Sequence, residues 1–306
     1  MKYFEHKSKK LSKIGIGTWG IGGYMERDHT IDAKKQKNAL IYMLQNGFNY
    51  VEANMWYSEG YSAEILANAI KESKVDRDKI FICQAIYLKD GKDFDSSISE
   101  VDAFCKIADT DYVDSIQFSA GSFARSSFEE ISDWVESQIE KGKSKYTSIT
   151  NQDIKLFEKY HERFGDKLFA HEVPYNFEIR VSETEGLIPY ATKNDILTVV
   201  YQPLRRNNTA KRNWPVIVEL ADKYNKTQNQ IILNWITNKG YLPLTKSETA
   251  AHIDEHIASV EFEMEAQDYE KLDNFQVPNV EKLKIDWDRT GNGYSLDQLS
   301  NVYDQP

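Results

Sequence analysis

Short apolar runs rich in Ile, Val, Tyr and Phe alternate with amphipathic helical segments from residue 11 to about residue 260. The strand-like runs are LSKIGIGTW, NYVEAN, IFICQAI, YVDSIQF, KYTSIT, FAHEVP, ILTVVYQ and YLPLTK, and a helical pattern follows each. In one such helix Phe128, Ile131, Val135 and Ile139 make an apolar stripe at spacings of three and four. Ser127 and Glu130 stand as its capping box, with Gly142 just past its end. Ala63 to Ile70, Ile217 to Tyr224 and Ile231 to Ile236 read the same way. A strand followed by a helix, eight times over, predicts an α/β fold with parallel strands closed into a (β/α)8 TIM barrel. A doubly wound open sheet is the alternative, but it needs a glycine fingerprint opening its first helix. GIGTWGIGG lacks that spacing and runs into a polar loop. The barrel is the better reading.

Two pieces fall outside the eight units. Residues 1–10 predict a small hairpin plugging the barrel bottom. From about Gln276 the chain turns polar, a C-terminal tail expected over the barrel, in which Trp287 and Tyr294 either close the pocket or pack the tail down. No Gly-, Ser- or Pro-rich linker interrupts the chain, so residues 1–306 read as one domain.

Composition narrows the function. A net charge of −10 argues against a nucleic-acid partner, which needs a basic face. No run approaches the ~18 apolar residues of a membrane span, and the first ten residues carry no signal-peptide core. Cys83 and Cys105 lie in separate apolar segments and read as reduced core thiols, which suggests a cytoplasmic protein. No Cys/His cluster has metal-ligand spacing, so no metal is expected. The partner implied is a small molecule.

The order of several segments resembles the aldo-keto reductase family over nearly the whole chain. LSKIGIGTW is similar to its first strand, ending at Thr18 and Trp19, and YVEANMWYSEGYSAEILANAI to its second strand and helix. TDYVDSIQF, SITN, the stretch from Tyr175 through Glu185 to Tyr190, VVYQPL and LTKS follow in the family's order. The resemblance implies hydride transfer from NADPH to a carbonyl. In that chemistry a tyrosine gives the proton, a lysine paired with an aspartate lowers its pKa, and a histidine orients the carbonyl. A free tyrosine titrates near ~10, so the cation matters.

Carried over position by position, the catalytic group is incomplete. Tyr57 keeps the tyrosine place and Glu52 replaces the aspartate, five residues earlier. The lysine place falls on Ala85 and the histidine place on Ser119, and shifting either strand by one or two residues recovers neither. Lys89 is the nearest lysine, four residues beyond Ala85. Among the cofactor contacts the resemblance implies, Asn151, Tyr201, Leu204, Lys246 and Ser247 match, and Thr150 stands for a serine. Glu172 replaces a glutamine that holds the nicotinamide carboxamide. His252 replaces the arginine for the 2′-phosphate and His256 an adenine-facing asparagine, so NADP or NAD binding is expected to be weakened.

Each residue also has a plainer reading. Tyr57 and Glu52 are either at the barrel mouth or ordinary core and surface residues. Lys246 and Ser247, with Arg205 or Arg206, form either a phosphate site, as loops after strands seven and eight often do, or a solvated loop. His171 and Glu172 are adjacent on a strand and must face opposite sides. Three functions follow, in this order. The first is a repurposed enzyme using Glu52 and Tyr57 for acid–base chemistry, an isomerase, lyase or dehydratase acting on a small polar substrate, whether free, phosphorylated or nucleotide-assisted. The second is a silent nucleotide- or ligand-binding pseudoenzyme. The third is an NAD(P)H-dependent oxidoreductase with an atypical site. With the lysine gone, Glu52 should be harder to ionise, Tyr57 should titrate near ~10, and reduction of generic aldehydes should be slight.

Overall fold

The computed structural model describes residues 1–88 and 94–278. Its first two strands, β1 (Tyr3–His6) and β2 (Lys9–Ser12), pair antiparallel. Lys7 and Ser8 between them have φ of 45° and 63°, the mirror-image turn whose twist suits a tight hairpin. The next eight are β3 (Gly15–Ile16), β4 (Tyr50–Asn54), β5 (Phe81–Ile86), β6 (Val113–Ser119), β7 (Ser144–Thr150), β8 (Leu168–Pro174), β9 (Leu197–Tyr201) and β10 (Leu242–Thr245). They close in the order β10-β3-β4-β5-β6-β7-β8-β9, each pair parallel, with helices outside. This is the (β/α)8 TIM barrel that the alternation predicts.

One boundary differs from the sequence expectation. Leu11 and Ser12 belong to the hairpin, which therefore runs past residue 10, and the first barrel strand is only Gly15–Ile16. The apolar run looks continuous, but the chain turns within it. Ser12 exchanges hydrogen bonds with Asn49, its amide donating to Oδ1 at 2.7 Å and its hydroxyl oxygen accepting from the Asn49 amide at 3.0 Å.

The helical readings hold. Ser127 caps the helix Phe128–Glu140 by accepting from the Glu130 amide at 3.1 Å. The Glu130 carboxylate goes to the Ser126 hydroxyl instead of back to Ser127, so only half of the expected box forms. The other three stripes lie inside helices Tyr61–Ser73, Pro215–Tyr224 and Gln228–Asn238.

Inside the barrel the lower end is aromatic. Tyr50 stacks on Phe81 at 5.3 Å, Phe81 on Phe169 at 4.3 Å, and Tyr146 leans on Phe169 at 4.8 Å. Each such ring, buried, stabilises the fold by roughly 1.5–3 kcal/mol. The hairpin seals this floor: Lys7 Nζ donates to the Leu168 carbonyl at 2.8 Å, and His6 Nε2 meets the Phe169 carbonyl at 3.0 Å. Leu11 joins the same cluster. Above it the interior turns polar, with Ser115 and Ser148 hydroxyls 2.8 Å apart.

Among the described residues no helix is long and apolar enough to cross a membrane, and no three His, Cys, Asp or Glu side chains gather as metal ligands. Cys83 and Cys105 are free, buried thiols. Lys89, Trp287 and Tyr294 lie outside the described residues, and so does nearly all of the tail.

Candidate active site

Strand alternation builds the site. On β4, Val51 and Ala53 pack among the helices, while Tyr50 and Glu52 point inward. Glu52 is 5% exposed. Its Oε2 faces the Thr18 amide at 3.5 Å, and its Oε1 accepts from the Tyr57 hydroxyl at 3.2 Å. Tyr57 reaches back over the strand it follows because Ser58 and Glu59 take left-handed φ values of 52° and 57°. Ser58 fixes that turn, donating its hydroxyl to the Ile21 carbonyl and its amide to the Tyr24 carbonyl, both at 2.7 Å. Trp19 meets the Tyr57 ring edge-on at 4.7 Å. The pair expected at the mouth is therefore assembled.

On β8 the two neighbours separate as alternation requires. His171 faces outward, stacked on Phe157 at 4.8 Å and bonded to Thr198 Oγ1 at 2.8 Å; burial lowers its pKa to about 3. Glu172 faces inward, and Gln117 Nε2 donates to its Oε2 at 2.9 Å. Thr150, Asn151 and Tyr201 gather beside it. Thr150 Oγ1 and the Asn151 amide both donate to the Glu172 carbonyl, at 3.0 and 3.2 Å, and the Tyr201 hydroxyl donates to Asn151 Oδ1 at 2.7 Å.

Both inward carboxyl groups resist ionisation. Burial raises Glu52 to about 7 against the donors Thr18 and Tyr57, and burial followed by the charge of Glu52 raises Glu172 to about 8. Tyr57 corrects an expectation. Burial and the neighbouring Glu52 hold it well above 10, because losing a cation is only part of its surroundings. Ala85 is buried and brings no charge; Ser119 touches Ser122, hydroxyl to hydroxyl, at 3.5 Å.

The far side of the mouth is cationic. Lys246 Nζ donates to the Gly20 carbonyl at 2.8 Å, and burial lowers its pKa to about 8 against the opposing charge of Glu248, with Arg206 adding to the drop. Ser247 Oγ accepts from the Thr249 amide at 3.2 Å, ahead of helix Ala250–Ser259. On that helix His252 is exposed, whereas His256 is buried and lowered to about 4. Leu204 is half-buried in the loop after β9. Thr18 Oγ1 and Thr245 Oγ1, at the ends of adjacent strands, are buried without a hydrogen-bond partner among the described residues.

Arg205 is not part of an anion site with Lys246. It is buried and ion-paired to Glu178, whose other oxygen takes the Trp214 indole N–H at 2.7 Å and lies 3.3 Å from Arg212. Arg206 instead lies over the Tyr24 ring at 4.7 Å. Sequence reasoning passed over Gln117 and Glu178. The first had a readable signal, because Ser115, Gln117 and Ser119 place polar groups on alternate positions of a buried strand. The second had none.

The family model for the Aldo/keto reductase family matches residues 13–276. The chain belongs to that family. The methylglyoxal reductase YeaE of Escherichia coli is 26% identical to this chain over 270 residues, covering 86% of the chain and 90% of its own length. The NADPH-dependent alpha-keto amide reductase of Saccharomyces cerevisiae is 24% identical, covering 75% and 76%. A thermostable aldo-keto reductase solved with the inhibitor epalrestat superposes with a TM-score of 0.79 at 25% identity, covering 89% of this chain and 99% of its own. These relatives correct the first-ranked function. Both named enzymes are reductases, so the isomerase, lyase or dehydratase reading gives way to carbonyl reduction, and the expectation of slight reduction goes with it.

Proposed function

We propose that this aldo/keto reductase reduces a small carbonyl compound with a nicotinamide dinucleotide, NADPH or NADH, and that Tyr57 gives the proton. The observation that carries the reading is the Tyr57 hydroxyl on Glu52 at the C-terminal mouth of the barrel, pinned by Trp19. The surroundings suit the dinucleotide. Lys246 is buried and bonded to a neutral carbonyl, with Glu248 and Arg206 as its charged neighbours, and a phosphate would be a stronger partner than that carbonyl. Lys246, Ser247 and Arg206 would hold phosphate, and Asn151, Tyr201 and Glu172 the nicotinamide end. When bound, the dinucleotide supplies the hydride.

This chain's own residues do the rest. Trp19 packs edge-on against the Tyr57 ring and fixes its position. Tyr57 must turn its one hydroxyl proton from Glu52 to the carbonyl oxygen as negative charge grows there, and a protonated Glu52 would then donate to the Tyr57 oxygen and keep the hydroxyl aimed. Ala85 and Ser119, at the lysine and histidine places, contribute no charge, so Tyr57 is a reluctant acid. A reactive substrate offsets that. A carbonyl beside a second carbonyl is more electrophilic and asks less of the acid, and the two named relatives act on methylglyoxal and an alpha-keto amide. We therefore assign small 1,2-dicarbonyl compounds as the substrate class.

The test follows the NADPH absorbance band with methylglyoxal, and with NADH in parallel. Tyr57→Phe should cost 100-fold or more in kcat while leaving dinucleotide affinity unchanged, as loss of a general acid does. Full activity in that variant overturns the reading.

A further inference from the structure

One polar side chain stands on a stripe that is otherwise apolar. Helix Ala33–Gln45 buries Gln36, Ala39, Leu40, Met43 and Leu44 along one face. Gln36 is 4% exposed, and an amide taken so far from water is stable there only when hydrogen-bonded. Its Oε1 accepts from the Gly22 amide at 2.8 Å. Its Nε2 donates to Glu248 Oε1 at 2.8 Å and to the Gly20 carbonyl at 3.4 Å. We propose that Gln36 is a positioning residue for the phosphate site at Lys246: it holds the Glu248 carboxylate away from the Lys246 amine and so keeps that amine available to a phosphate. This role rests on the reading that Lys246 holds phosphate, and names what keeps that site open.

Glu248 is the natural rival for that amine. It lies two residues beyond Lys246 on the same loop, so its carboxylate is always at hand, whereas a phosphate must arrive from solution. The charged groups near Lys246 are this carboxylate and Arg206 from the loop after β9. Among the described residues Lys246 and Glu248 nonetheless form no ion pair, and Lys246 goes to the Gly20 carbonyl. Glu248 faces helix Ala33–Gln45 instead, with Oε1 on Gln36 and Oε2 3.4 Å from the Lys35 amine. Both members of the Lys35 pair are exposed, so that contact contributes little. The bond from Gln36 comes from a buried amide with a fixed direction. That bond first, ahead of Lys35, also keeps the Glu248 carboxyl below its ordinary range, so the rival is an anion wherever Lys246 is a cation.

Only an amide suits position 36. The Gly22 N–H needs an acceptor, while the oxygens of Glu248 and Gly20 need donors, and glutamine alone offers both from one rigid plane. A carboxylate there would repel Glu248, and a hydrocarbon would hold neither loop. The same side chain readies the site for its ligand. When the Lys246 amine turns from the Gly20 carbonyl to a phosphate, the second Nε2 hydrogen of Gln36 remains as that carbonyl's donor. Releasing Lys246 therefore strands no buried oxygen. Gln36 thus joins the loop after β3 to the loop after β10 and sets which of two anions, one tethered and one arriving, meets the cation between them.

Calorimetric titration of the whole protein with NADPH, over a range of pH, tests this. Gln36→Met keeps the side chain's volume but lets Glu248 close on Lys246, and should weaken NADPH roughly fivefold at neutral pH. The alkaline fall in affinity should also move up from about 8 by roughly one pH unit, because a carboxylate on the amine favours its charged form. Glu248→Gln alone should change affinity by about twofold or less. Added to Gln36→Met, it should restore both the affinity and the pH profile, a rescue that a merely structural glutamine would not show. Gln36→Glu, which keeps an acceptor for the Gly22 amide, is the second variant if Gln36→Met does not fold. It should weaken NADPH at least as much, and Glu248→Gln should again recover affinity. Wild-type affinity in the Gln36 variants, or a loss that Glu248→Gln does not restore, overturns the role of Gln36 and leaves Lys246 on the phosphate. Wild-type affinity in Lys246→Met removes the phosphate reading itself, and the role of Gln36 with it.

Discussion

The Lys246 amine is bonded to the Gly20 carbonyl at 2.8 Å, which ties the loop after β10 to the loop after β3. A buried cation held by a neutral oxygen, with Arg206 near it as well as Glu248, would gain from a phosphate in the carbonyl's place. Lys246→Met should therefore weaken NADPH binding at least tenfold in calorimetric titration. The binding form is the protonated amine. Affinity in the wild type should fall as pH rises through about 8, and the variant should lose that dependence. Equal affinity in both proteins would separate Lys246 from the dinucleotide.

His252 is exposed on the helix that starts behind Ser247, with space around it for a longer side chain. His252→Arg should raise the preference for NADPH over NADH, by roughly 5–10-fold, as a charge-assisted hydrogen bond to a phosphate would. The ratio of Kd values for the two dinucleotides checks it. A ratio unchanged by the substitution would place the 2′-phosphate elsewhere.

Stability should depend on pH in a window that isolates the acid pair. Glu52 and Glu172 titrate higher in the folded state, so the fold holds protons that the unfolded chain has released. Their contribution is intact below about 4.5 and is lost as pH rises toward 8. His171 and His256 have depressed values and penalise the fold only below about 6.5. Between pH 6.5 and 7.5, before the lowered Lys246 begins to offset it as pH rises through about 8, the unfolding free energy should therefore drop, on the order of 1 kcal/mol per pH unit. Urea melts across that range give the slope, and Glu172→Gln should flatten it.

Glu178 holds two arginines and an indole from a buried position. Glu178→Ala strands the Arg205 and Arg212 charges and should cost about 3–5 kcal/mol. The loop it anchors is already demanding, because Gln202, Arg205, Arg206 and Asn207 all have positive φ. Proteolysis should then begin near residues 202–213. A variant with an unchanged urea midpoint would show the pair to be incidental.

The barrel could be read from alternation because each strand buries one face in the interior and the other under helices. The same rule sets His171 apart from Glu172, whereas it leaves Glu52 between the barrel mouth and an ordinary surface or core place, and only the closed fold turns it inward. Contacts between distant segments could not be read. Gln117 and Glu172 are 55 residues apart, and Arg205 and Glu178 are 27 apart; nothing in either segment names its partner. Tyr57 shows the other limit. Its lost cation could be inferred from Ala85, but the burial that governs its acidity is a property of the closed fold. The function changed rank for a related reason. Missing groups show what a site lacks, and they do not show what reaction it has kept.

The N-terminal hairpin touches none of the residues at the mouth, yet it governs how well insulated they are. Lys7, His6 and Leu11 cork the barrel beneath Phe81, Phe169 and Tyr146. Water kept out from below cannot climb to solvate Glu52 and Glu172, and the reluctance of those groups to ionise comes first from burial. The hairpin, which handles no substrate, thereby acts as a remote setting on the acidity of the opposite end of the barrel.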